Sequence, residues 1–141
     1  MKKTLAVLTV VSALMLFGAV HAQEGVRIKD VANISGLEDI FPGAIHDPQT
    51  LTDLDFAFHL AIAIASGNLV YPLIINSFKG VYTNLTGEFF RKYVGSLIVA
   101  EVHQFHRQLV GAFELQDTES AVQTMSAMLA HGERYLKGEG P

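Results

Sequence analysis

Asp55 and His59 stand four residues apart inside a strongly apolar stretch, residues 54–90. In a helix that spacing puts both side chains on one face, about a turn from each other. A carboxylate and an imidazole so placed can hold a metal ion or a polar ligand inside a helical bundle. The same two groups can also do no more than pair with each other, because buried polar side chains need hydrogen-bond partners. The residue types alone leave both uses open.

The elements that must position the pair are read from periodicity. Leu51, Leu54, Phe58 and Ile62 form one helical stripe, and Leu60 and Ile64 widen it. A helix apolar on most sides is buried on most sides. Asp47 or Thr50 can cap its start, since a short oxygen side chain satisfies early backbone N–H groups. Ser66-Gly67-Asn68 ends it, with Gly67 or Asn68 able to take the left-handed C-cap conformation. A second helix is expected from near Leu69 through Ile74, Ile75, Phe78, Val81, Tyr82, Leu85 and Phe89, with Pro72 in its first turn. Gly80 and Gly87 weaken it, by roughly 1 kcal/mol each against alanine, and can admit a close neighbour or a ligand. A third helix is expected over residues 93–113. A fourth follows Asp117 and runs through Ala121, Met125, Met128 and Leu129 to about Tyr135. Nothing alternates with period two for long, so the fold class is all-α.

The bulk composition narrows the function classes. The chain has 141 residues, enough for one small domain, and no cysteine, which excludes disulfides and thiolate chemistry. Lys2 and Lys3, an apolar run over residues 5–17 and Val20-His21-Ala22 make a secretory-signal pattern over residues 1–22. Its removal leaves 8 basic and 14 acidic residues, a net of −6, and no stable membrane span. An acidic domain offers no electrostatic attraction to nucleic acid phosphates. The domain boundary falls between Gly36 and Asp47. The expected order is a signal-like segment (1–22), a linker (23–46), a helical domain (47–137) and a tail (138–141).

Two resemblances add to this reading. Residues 1–36 weakly resemble the N-terminus of flagellar P-ring proteins, through the signal and the sequence Arg27-Ile28-Lys29-Asp30-Val31-Ala32-Asn33-Ile34-Ser35-Gly36. The glycine-rich strand sequence of that family does not come next. The body offers a more specific pattern. It comprises Leu54-Asp55, the run closing on Ala65-Ser66-Gly67-Asn68, then Tyr71, Leu73-Ile74, Asn76, Lys79-Gly80, Tyr82-Thr83 and Phe89-Phe90. His106 with Ala112, and Asp117 with Ala121 and Met125, continue it. Residues 50–136 thereby resemble the C-terminal effector-binding (FCD) domain of GntR-family transcription regulators, in the FadR branch.

That resemblance implies an antiparallel helical bundle that binds a small effector in its core and commonly forms a homodimer. Such domains normally follow a DNA-binding winged helix. Residues 1–46 carry no helix-turn-helix pattern and few basic residues. The expectation is therefore a fragment or fusion that does not bind operator DNA alone. Many members hold a divalent metal through an Asp-x3-His pair and two later histidines. Asp55 and His59 match the pair and His106 matches the third ligand. The usual spacing of 22 from His106 lands on Met128, and His131 lies one turn further, so His131 is the expected fourth ligand. Zn, Ni or Mn suits such a donor set. The fatty-acid-sensing members hold an acyl-CoA instead.

Tyr71, Asn76 and Tyr82 are the expected ligand contacts, and His103 the exposed side of its helix. The expected function is sensing of an acyl-CoA or small carboxylate in transcription regulation of fatty acid metabolism, without enzymatic activity. A metal-activated hydrolase would need a further acid or base, for which no residue has a clear place. The competing reading is an exported helical binding protein associated with the flagellar ring. The family works in the cytoplasm; a used signal would place the chain in the periplasm.

Overall fold

The computed structural model describes residues 47–139. The signal-like leader, the linker, their flagellar resemblance and the last two residues lie outside the described residues. The described residues form five helices: α1 (Pro48–Ala65), α2 (Val70–Ser77), α3 (Lys79–Tyr93), α4 (Leu97–Glu114) and α5 (Thr118–Leu136). No described residue is in a strand, and the all-α expectation holds. No described helix is long and apolar enough to cross a membrane.

Local chemistry sets the helix ends. Asp47 caps α1 by accepting from the Thr50 backbone N–H at 2.8 Å, and Asp117 caps α5 by accepting from the Ser120 N–H at 3.0 Å. Both carboxyls sit below the usual range because each accepts from a side-chain hydroxyl and a backbone N–H. Past α1, Gly67 takes φ +70° and no atom lies within 4 Å of where a Cβ would stand. Gly67→Ala is therefore expected to cost about 1–2 kcal/mol of backbone strain alone, measurable as a lower urea midpoint at unchanged m-value.

The single second helix expected from Leu69 to Phe89 is two helices. The break falls at Phe78, with φ −99° and ψ 5°. Around it, side chains compete for backbone carbonyls: Asn76 donates to Pro72 O, Ser77 to Leu73 O, and Thr83 to Lys79 O. Such back-bonding loosens helical hydrogen bonding, and Gly80 adds no propensity to resist it. The helix expected from residue 93 begins at Leu97, because Gly95 at φ +76° turns the chain and Ser96 donates to Tyr93 O.

The packing is antiparallel. Leu51 of α1 meets Phe89 and Phe90 of α3, while Asp55 meets Tyr82. Val102 of α4 clusters with Tyr135 of α5, while Phe113 clusters with Ala121. The central core joins Phe58, Ile62, Leu109, Ala112, Met125 and Met128. A Cβ at Gly87 would stand 3.3 Å from the Arg91 side chain of its own helix and at an ordinary 3.6 Å from Thr52 Oγ1 of α1, while Gly80 faces open space.

Candidate functional site: a buried Asp-His-His cluster

Asp55 and His59 lie on the α1 face that the apolar pattern turns inward, and both are buried. His106 arrives from α4, also buried. One ligand atom from each of these three residues lies within 4.8 Å of the others. His106 Nε2 is 3.3 Å from Asp55 Oδ1, an ion-pair distance without the alignment of a full hydrogen bond. Tyr82 of α3 completes the group: its hydroxyl donates to Asp55 Oδ2 at 2.6 Å. The rings pack around the carboxylate, with Phe58 4.4 Å from His106 and His59 5.6 Å from His106 between centroids.

Protonation is set by burial and neighbours. Burial pushes the Asp55 carboxyl up, but its contacts with His106, His59 and Tyr82 outweigh this and hold it below the usual range. Burial also pushes His59 down to about 4, against the pull of Asp55. His59 is thus neutral at pH 7, and the lowering of Asp55 there rests on His106 and Tyr82 rather than on a charged His59. Burial and the Asp55 carboxylate raise the Tyr82 phenol well above its ordinary value, so it stays a donor. The site presents one carboxylate and a neutral imidazole, the protonation states a cation needs.

Bonds of about 2.0–2.2 Å in a tetrahedral site place ligand atoms about 3.3–3.6 Å apart. The ligand atoms of these three residues lie within 4.8 Å of one another, so holding a cation would need the side chains to close by up to about 1.3 Å.

His131, the expected fourth ligand, is not in the cluster. Its Nε2 lies 2.7 Å from Glu101 Oε2 of α4, and its ring packs against Phe105 and Tyr135. The register explains this. Met128, at the usual ligand spacing, is buried in the central core with Phe58 and Leu109, so the position one turn later points past the site.

The expected ligand contacts also separate. Tyr82 is in the cluster. Tyr71 is half-buried against Phe56 and Ile75, and Asn76 is exposed and bonded to its own helix. His103 is half-buried rather than exposed; burial and the neighbouring His106 and Arg107 charges lower it, and Asp55 opposes them. Sequence reasoning missed two partners: Tyr82 as the donor to Asp55, and Glu101 as the partner of His131. For Tyr82 the available signal was its position in the apolar pattern of α3, a polar group on a buried face.

The described helices form a bundle with a polar cluster buried in its core. The family described as the FadR C-terminal domain matches residues 1–136, and this chain belongs to that family. Its members are regulator domains rather than enzymes. Among curated proteins the chain is 30% identical over 99 residues to a fatty acid metabolism regulator protein of Shewanella halifaxensis, covering 70% of this chain and 38% of the relative. It is 32% identical over 82 residues to the Shewanella amazonensis protein of the same name, covering 58% and 31%. The Shewanella baltica protein is 27% identical over 116 residues, covering 82% and 46%. The chain thus spans less than half the length of these relatives.

Proposed function

We propose that this domain senses a fatty acyl-CoA or a small carboxylate for a regulator of fatty acid metabolism, with its polar end seated at Asp55, His59 and His106. The observation that carries the reading is the convergence of those three side chains in the core of an otherwise apolar bundle. The relatives' name, fatty acid metabolism regulator, supports the effector class. Asp55, His59 and His106 would hold a divalent cation such as Zn, Ni or Mn, which supplies a Lewis-acidic point for an effector carboxylate. Tyr82 holds Asp55 in place through its hydrogen bond.

The domain acts as a homodimer in this reading, in the cytoplasm, and does not bind operator DNA by itself. A signal used for export would move it to the periplasm. The net charge of −4 supports the absence of direct DNA contact.

Thermal unfolding of the full chain tests the proposal, first after chelation, then with Zn, Ni or Mn, and with long-chain acyl-CoA. A ligand that binds only the folded state raises apparent stability, by about 2.7 kcal/mol at one hundred times its Kd. A rise with metal that is lost in His59→Ala supports the cation site. A rise with acyl-CoA alone makes Asp55, His59 and His106 a structural network beneath an acyl-CoA site. No response to any of them would sink the sensing function.

A further inference from the structure

His106 is short of a partner. Its Nε2 atom is buried and has no aligned hydrogen bond, although Asp55 Oδ1 lies 3.3 Å away. A buried polar atom in that state calls for a group that would satisfy it. The donors around it suit a cation, with one carboxylate and two imidazoles. Three protein donors leave one position of a tetrahedral ion open. That position falls to water, to an effector or to a side chain that turns in.

His103 is placed to turn in. It stands three residues before His106 on α4, which puts the two side chains next to each other on one face. Glu-x-x-His at this same spacing supplies two ligands to one metal site in helical bundles. The helices α1 and α4 run in the same direction, since Leu51 clusters with Val99 and Val102, and Ile62 with Leu109 and Phe113. His103 therefore lies on the Asp55 side of His106. The Asp55 carboxylate and His106 both act on it electrostatically, as does Arg107 further along α4. Arg107 is a like charge to any cation, but it is exposed, where solvent and salt screen it. Asp55, His59 and His106 are buried, whereas His103 is half-buried, so of the four it is the one that solvent reaches.

We propose that His103 is the fourth donor of this site. The pair Asp55-x3-His59 on α1 and the pair His103-x2-His106 on α4 then close around a single divalent cation from two helices. The proposal rests on the cation reading above and assigns the position that His131 does not fill. Ion binding draws the His103 ring inward and gives His106 Nε2 the partner it lacks.

Zinc and cobalt(II) titrations of the full chain test this, read by competition with a chromophoric chelator and by the visible spectrum of bound cobalt. Four-coordinate cobalt absorbs far more strongly than six-coordinate cobalt, so the band reports the number of donors. An outer partner of a metal ligand is typically worth about 10–100-fold in affinity, and a direct ligand at least as much. His103→Gln is therefore expected to lower zinc affinity by about tenfold or more and to weaken the cobalt band, with helical circular dichroism unchanged. His103→Glu creates the Glu-x-x-His spacing and is expected to restore most of both. His131→Gln is expected to leave both as in the wild type. A wild-type chain that takes up neither ion would overturn the cation reading and this proposal with it. Binding and a cobalt band unchanged in His103→Gln would overturn the role of His103 alone. Binding lost in His131→Gln instead would return the fourth position to His131 and equally overturn the proposal.

Discussion

Asp55→Ala is expected to lower the free energy of unfolding by about 1–3 kcal/mol for each buried polar partner that it leaves unsatisfied. The Asp55 carboxylate is the acceptor for the Tyr82 hydroxyl at 2.6 Å and lies 3.3 Å from His106 Nε2. Alanine leaves both partners buried without it, and an unsatisfied buried polar group alone costs about 1–3 kcal/mol. Tyr82→Phe removes one bond and leaves the carboxylate its contact with His106, so a smaller loss of about 1–2 kcal/mol is expected. Urea unfolding of the three proteins, with m-values compared, measures the order directly. A loss under about 1 kcal/mol for Asp55→Ala would mean that the network adds little beyond an apolar filling, an outcome known for some buried ion pairs. The same variant is expected to abolish any stabilisation by Zn or Ni. That loss in ligand response separates a binding role from a purely structural one.

Stability should fall steeply in mild acid, and His59 should account for much of the slope. In the unfolded chain His59 takes up its proton near 6.5; in the folded domain burial lowers this to about 4. Between those values the unfolded state holds more protons than the folded one, so stability decreases as pH decreases. Its contribution is intact above pH 6.5 and is lost as the pH falls to about 4. Each unit is worth about 1.4 kcal/mol, or roughly 3 kcal/mol over the window. His103 is lowered in the same direction by burial, then by His106 and Arg107, and adds to the slope. The Asp55 carboxyl, also lowered, acts in the next window down, below its ordinary 3.8. Urea unfolding at half-unit steps from about pH 7.5 to about pH 4.5 reads the effect. His59→Gln is expected to flatten the slope; an unchanged slope would place the acid sensitivity in other groups.

The helical pattern of α1 was legible because burial on a helix repeats every third or fourth residue. Leu51, Phe58 and Ile62 are all within 2% of full burial. Ile64, read as part of the same face, is half exposed, because α1 ends directly after it and nothing among the described residues covers that side. The caps were legible for the same local reason: Asp47, Asp117 and Gly67 act within three or four residues of their own position.

The break at Phe78 was not legible. It depends on a balance of backbone and side-chain hydrogen bonds that differ by little in energy, and apolar periodicity continues across it.

The candidate site divides along the same line. The sequence by itself determined that Asp55 and His59 share a face, since a four-residue step in a helix leaves no alternative. It also put His106 and His131 on two later helices as competitors for the same centre. Only the tertiary structure decided between them, through the level along the bundle at which each buried histidine sits. α4 turns His106 inward to Asp55. α5 sets Met125 and Met128 in the central core and buries His131 further along, beside Glu101 and Tyr135. Tyr82 reaches Asp55 across 27 residues of chain for the same reason, the antiparallel return of α3 along α1. Spacing along one helix is dictated by its 3.6-residue turn. Which residues meet across helices depends on how whole apolar faces interlock, and no local stretch of sequence contains that.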